Sequence, residues 1–204
     1  VLGVYRSAFD MNGHKCSACS RLYVHESIEK EFLARLTQKL EETVIGDPLE
    51  RRTWLGPLAT RSSIEDYKAF IELARPTGTL AAGGDVLTGP GFEHGYFAKP
   101  TVLVGLPHEH ELMKKELFVP ILGVRAFRSL DEALEQANDT IFGLTAGCYA
   151  QKQDEIDTFL ERIEAGVVYV NRPAGATTGA WPGVQPFGGW KASGSTGKNI
   201  GGLY

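Results

Sequence analysis

No stretch of this 204-residue chain approaches the roughly 18 consecutive apolar residues that cross a bilayer as a helix, so a membrane-spanning role is not expected. A basic excess is absent too. The 21 Lys and Arg are outnumbered by 25 Asp and Glu, the formal net charge is −4, and no basic run is visible. That composition speaks against a surface for nucleic acid or for an anionic membrane. Cysteine is scarce, with three residues, and an odd number in a chain of this size implies reduced thiols rather than a disulfide framework. A cytosol-like compartment is therefore expected: the cytoplasm, or the mitochondrial matrix in a eukaryote. No leader of the secretory pattern opens the chain, and no initiator Met is present. Val1, Val4, Tyr5, Ala8 and Phe9 already read as an amphipathic helix, and Gly201-Gly202-Leu203-Tyr204 ends without an element to close a fold. The expectation is a piece of a longer protein.

What is present is a 43% hydrophobic chain with regular punctuation, long enough to bury a core. Leu22-Tyr23-Val24 reads as a strand. A helix follows with Ser27 as its N-cap and Ile28, Phe32, Leu33, Leu36 and Leu40 on one face, stopped by Gly46 and Pro48. Ser62 and Glu65 read as a capping box opening a second helix, with Ile64, Tyr67, Ile71 and Ala74 inward and Pro76 at its end. A glycine-rich hairpin region runs from Gly83-Gly84 to Gly95, then the extended Thr101-Val102-Leu103-Val104. Residues 121–127 and 144–150 read as strands, and Ser129 with Glu132 caps a helix between them. Residues 154–164 read as a helix with Ile156, Phe159, Leu160 and Ile163 on one side. Val167 to Val170 reads as a strand covered on both faces. This alternation implies an α/β fold, a three-layer sandwich around a largely parallel sheet. From Pro173 onward Gly, Pro, Ala, Ser and Thr prevail without periodicity, yet the segment carries Trp181, Phe187 and Trp190. Such a long irregular stretch reads as a functional loop.

The chemistry concentrates in Gly13-His14-Lys15-Cys16-Ser17-Ala18-Cys19-Ser20-Arg21. A thiol on a short polar loop between a helix and a strand is reachable by small molecules, and turn amides can stabilise charge on sulfur or on an attacked carbonyl. Other readings exist. Cys16 can be an inert core thiol. His14, Cys16, Cys19 and His25 can be drawn as zinc ligands, although the spacing is cramped and no second pair lies at a distance. A redox pair of Cys16 and Cys19 lacks the Pro or Trp typical of such a turn. No metal is expected, and Cys148, within a strand, reads as core.

This loop resembles the nucleophile motif of NAD(P)-dependent aldehyde dehydrogenases, whose thiol lies five residues before an arginine; that spacing points to Cys16. The Lys15 to Arg21 wording is similar to the 1-pyrroline-5-carboxylate (glutamate γ-semialdehyde) dehydrogenase branch. Lys115-Glu116-Leu117-Phe118-Val119-Pro120 resembles the family's Glu-x-Phe-Gly-Pro motif, with Val119 in place of glycine. Thr178 to Gly189 resembles the branch's substrate-anchoring loop. Val170-Asn171-Arg172, Gly46-Asp47-Pro48, Gly56-Pro57, Gly95-Tyr96-Phe97 and Pro100-Thr101 fall in the family's order, so the resemblance spans essentially the whole chain. His14, where the family usually has glutamine, is a further departure.

The resemblance implies a catalytic domain, residues 1–204, truncated at both ends. It implies Cys16 as nucleophile, its own amide as one oxyanion donor, and Ser17 on the substrate's α-carboxylate. It further implies Gly179 and Ala180 as backbone donors to the same anion and Phe187 against the aliphatic stem. Glu116 would accept from the ribose hydroxyls of NAD, with NADP left open, and Phe118 would pack by the nicotinamide. Asn171 and Arg172 read as structural. The family's Gly-x-Gly-x-x-Gly turn and Glu general base do not occur within the sequence, so an N-terminal cofactor domain is the expected partner. A homo-oligomer and a small aldehyde substrate complete the picture, and the chain alone is expected to be inactive. Alternatives are an aldehyde dehydrogenase of another substrate class, a non-catalytic fragment of the fold, or a small cysteine hydrolase.

Overall fold

A computed structural model describes residues 1–173 and 187–194. The strands are β1 (Arg21–His25), β2 (Thr79–Ala82), β3 (Val86–Leu87), β4 (Phe97–Ala98), β5 (Thr101–Val104), β6 (Ile121–Phe127), β7 (Thr145–Cys148) and β8 (Val167–Val170). The helices are α1 (Leu2–Phe9), α2 (Glu26–Glu41), α3 (Arg61–Ala74), α4 (Leu130–Asn138) and α5 (Gln153–Arg162). The main sheet has the order β1-β6-β5-β2, in which β6 is parallel to both neighbours and β2 is an antiparallel edge. Arg21 faces Gly123 and Thr101 faces Ile121 across these ladders.

Side chains alternate across a strand, and here the alternation sorts the core into two layers. Val102, Leu122 and Val124 join Val4, Phe9, Leu36 and Leu40 of α1 and α2 on one face. Leu103 and Ile121 join Ile64, Tyr67, Ile71 and Ala74 of α3 on the other. The architecture is α/β, helix on sheet on helix. Phe9, Leu36 and Leu122 are wholly buried, each contributing about 1.5–3 kcal/mol of hydrophobic stabilisation. Parallel β7 and β8 form a separate two-stranded sheet, with Ala146, Cys148, Val168 and Val170 against Leu134 of α4 and Phe159 of α5.

Helix starts differ from the sequence reading in two places. The α2 N-cap is His25, whose Nδ1 accepts the Ser27 N–H at 3.3 Å, so Ser27 lies inside the helix and Ile28 is half exposed. The α3 N-cap is Thr60, whose hydroxyl accepts the Ser63 N–H at 3.1 Å, so Ser62 does not cap. In each case a side chain two residues upstream, His25 or Thr60, offered an acceptor and took the orphan N–H. At α4 the expected Ser129 does cap, accepting the Glu132 N–H at 3.2 Å. Both long helices stop before the expected breakers, at Glu41 and Ala74. Leu160 faces outward, and in β8 only Val167 is fully buried, the other three residues being partly buried, so the strand is less covered than the sequence reading expects.

Candidate active site

The thiol loop begins where α1 ends. Met11, Asn12 and Gly13 take φ angles of 54°, 57° and 69°, three consecutive left-handed residues that reverse the chain. Asn and Gly are the residue types that enter this region most readily, and Met11 is carried along with its side chain exposed. The reversal is fastened from several sides. Asn12 Nδ2 donates to the Gly56 and Pro57 carbonyls, both at 3.2 Å. Lys15 Nζ reaches back across the turn to Asp10 at 2.9 Å. The Ala18 N–H closes a turn onto the Lys15 carbonyl at 3.0 Å, and the Cys19 N–H donates to the Ser7 carbonyl of α1 at 2.9 Å. Thr145 of β7 donates its hydroxyl to the Ser17 carbonyl at 3.3 Å.

The three cysteines are placed differently. Cys16 is exposed at the crest of the loop, with the Ser17 side chain buried beside it. Cys19 turns its thiol inward, where it donates to the Arg21 carbonyl at 3.2 Å and packs on the first core face. Burial pushes that thiol up to about 11. At pH 8 little of it is thiolate. Cys148 lies half-buried against the α4–α5 layer, its pKa raised by burial and secondarily by Glu155. At pH 8, iodoacetamide should label Cys16 at least tenfold faster than Cys19 or Cys148, measured by peptide mass spectrometry. Equal labelling of Cys16 and Cys19 would contradict this placement.

His14, Cys16, Cys19 and His25 do not converge on one point. Among the described residues, ligand-type side chains gather in a group of three only at His108, Glu109 and Asp139. There the Lys114 ammonium already occupies the centre, bonded to Asp139 and, at 2.8 Å, to His108 Nε2. Its hydrogen bonds, with that of His108, hold the Asp139 carboxyl below its ordinary range.

The second element, residues 116–120, meets the thiol loop directly. Leu117 and Val119 are buried to 4% exposure while Glu116 and Phe118 are exposed. Phe118 adopts a φ of 55°, rare for an aromatic residue. Val119, at the glycine position of the resembled motif, has no positive φ, and its side chain anchors the core. The unusual backbone geometry sits one residue earlier. The His14 ring stacks on Phe118 with centroids 5.8 Å apart and planes 10° from parallel. Gly13 lies against the Val119 carbonyl so closely that a Cβ there would stand 2.7 Å from that oxygen.

Cys16, Ser17, Glu116 and Phe118 thus share one end of the parallel strands. Phe187 is half-buried in the segment 187–194. That segment docks on residues 141–143, with the Trp190 N–H on the Gly143 carbonyl at 2.9 Å, the Ala192 N–H on the Ile141 carbonyl and Ser193 accepting the Gly143 N–H. No hydrogen bond joins it to Cys16 or Phe118 among the described residues. Gly179 and Ala180 lie outside the described residues. Asn171 bonds both backbone groups of Ala150, and Tyr149 donates to the Arg172 carbonyl, in keeping with a structural reading of that pair. Asn12 and Thr145 escaped the sequence reading. An Asn-Gly pair just before the thiol was the available signal for Asn12; Thr145 offered none.

The aldehyde dehydrogenase family model matches residues 1–203. The chain belongs to the aldehyde dehydrogenase family. It is 34% identical over 195 residues to the 1-pyrroline-5-carboxylate dehydrogenase of Staphylococcus epidermidis, covering 96% of this chain and 36% of that protein. Among solved structures it resembles a Thermus 1-pyrroline-5-carboxylate dehydrogenase with bound NAD at 37% identity and a TM-score of 0.86, over 96% of this chain and 37% of that one. A 3,6-anhydro-L-galactose dehydrogenase in complex with NAP is similar at 32% identity and a TM-score of 0.90, over 97% and 40%. This aldehyde dehydrogenase chain therefore spans a little over a third of the length of these relatives. Among its described residues no helix is long and apolar enough to cross a membrane.

Proposed function

We propose that this chain is the catalytic-domain part, residues 1–204, of an enzyme that oxidises L-glutamate γ-semialdehyde to L-glutamate with NAD. The observation that carries the reading is the exposed Cys16 on a fastened loop that meets residues 118–119 through the His14–Phe118 ring contact and through Gly13 against the Val119 carbonyl. The names of the relatives support the substrate class. The 36% coverage supports a cofactor-binding domain outside this chain, and with it an inactive isolated fragment.

The donor set fits the nicotinamide end of such a cofactor. Glu116 is an exposed, acceptor-only carboxylate suited to a vicinal diol, and Phe118 offers a half-exposed ring face. When bound, the nicotinamide supplies the acceptor for a hydride. The Cys16 thiolate adds to the aldehyde carbon, forming the S–C bond while the carbonyl π pair moves to oxygen. The Cys16 amide is positioned in sequence to hold that oxyanion. Loss of hydride from the carbon leaves a thioester on Cys16. Water then adds, the S–C bond breaks, and carboxylic acid and thiol are released. Ser17, Gly179 and Ala180 bind the substrate's far carboxylate, and Phe187 covers its stem. The same reading leaves the choice between NAD and NADP open and includes assembly as a homo-oligomer and a cytosol-like location.

Steady-state rates of the full-length protein with glutamate γ-semialdehyde, succinic semialdehyde and acetaldehyde, followed by NADH absorbance, test it. The expected result is a kcat/KM for the first at least tenfold above the others, because succinic semialdehyde is one carbon too short to bring its carboxylate to the clamp and acetaldehyde has no carboxylate to offer it. Equal values would favour another aldehyde substrate for the same site.

A further inference from the structure

The contact between His14 and Phe118 is the one part of the site that the nucleophile, the carboxylate clamp and the ribose acceptor leave without a role. His14 lies two residues before Cys16, and its ring runs nearly parallel to that of Phe118 in an offset stack. Phe118 needs such a support. Its backbone is left-handed and its side chain is 47% exposed, so its own surroundings fix the ring weakly. His14 is suited to supply it. Its Nε2 is buried and makes no hydrogen bond among the described residues, and burial lowers the ring's pKa, keeping the imidazole neutral at neutral pH. A neutral ring can face an aromatic plane without the desolvation a cation would suffer. No hydrogen bond links the imidazole to Cys16, so the ring's role is carried by its plane rather than by a proton.

We infer that His14 is a positioning residue: its flat ring backs Phe118 and holds that ring in register with the thiol loop, so that cofactor and nucleophile are aligned by one contact. Gly13 against the Val119 carbonyl makes the same junction in the backbone. The inference rests on the reading of Phe118 as a nicotinamide-side residue.

The test uses the full-length protein and four variants: His14→Ala, His14→Phe, Phe118→Ala, and His14→Ala with Phe118→Ala. The NAD dissociation constant is measured by calorimetry, and Cys16 alkylation by iodoacetamide at pH 8 is measured alongside. An aromatic stack is worth enough that His14→Ala should weaken NAD roughly three- to tenfold. Alkylation should stay within about twofold of the parent, since no proton transfer is lost. His14→Phe keeps the plane without the buried nitrogen and should restore NAD affinity to within about twofold. The double variant should bind NAD no more weakly than Phe118→Ala alone, because both changes break the same contact. The inference is overturned if His14→Phe fails like His14→Ala, if alkylation slows in both, or if the two single effects simply multiply. If Phe118→Ala leaves NAD affinity unchanged, the nicotinamide-side reading of Phe118 is itself wrong, and the inference goes with it.

Discussion

Replacing Cys16 by alanine in the full-length protein should lower NADH production by on the order of a thousandfold or more while NAD still binds. The size of the effect follows from the placement of the three thiols. Cys16 is exposed, whereas Cys19 is turned into the core with its pKa near 11 and Cys148 is half-buried on another sheet. Neither can replace the missing sulfur. Without a nucleophile the aldehyde carbon keeps its planar geometry, and no tetrahedral oxyanion forms from which hydride can depart. NAD affinity should survive because Glu116 and Phe118 are carried by residues 116–120, which are anchored through Leu117 and Val119. Calorimetry and initial rates on the same preparation separate the two properties. Retained turnover in the alanine variant would remove Cys16 from the mechanism.

The second large effect is expected at Gly13. A Cβ at this position would stand 2.7 Å from the Val119 carbonyl oxygen, 3.1 Å from its carbon and 3.2 Å from the Ala8 carbonyl oxygen. All three are backbone atoms, and the first two belong to a segment whose side chains are locked in the core, so no flexible group can yield. The residue also sits at a φ of 69°, which adds about 1–2 kcal/mol for any L side chain. Gly13→Ala should therefore cost about 3 kcal/mol or more in stability or force the two loops apart. Either outcome is visible. A urea transition moves to a lower midpoint, or NADH production falls with the fold intact. A variant with wild-type stability and activity would mean that the loops do not meet as described.

Several features of this site are legible in the sequence. The polar loop with its Gly at the head marks an accessible thiol. Inward positions of α3 follow from helical spacing, and Ile64, Tyr67, Ile71 and Ala74 are all buried. Helix starts are less legible, because Ser, Thr and His within two residues of one another all offer a capping atom and tertiary packing chooses among them. The junction of the two loops is not legible at all. His14 and Phe118 are far apart in the chain, and only the parallel pairing of β1 with β6 brings the segments preceding both strands together. Val119 shows how a local rule misleads. A glycine absent from its expected place suggests altered backbone freedom there, yet the left-handed residue is Phe118 and the valine serves the core.

The most direct measurement is of the covalent species itself. Full-length protein is mixed with glutamate γ-semialdehyde and NAD, quenched in acid within the first turnover, digested with trypsin and sequenced by mass spectrometry. Cleavage after Lys15 and Arg21 leaves residues 16–21 in one peptide, and fragment ions separate Cys16 from Cys19. The account predicts a glutamyl thioester on Cys16. A burst of NADH with the acyl group on Cys19 or Cys148, or on no cysteine, would contradict it.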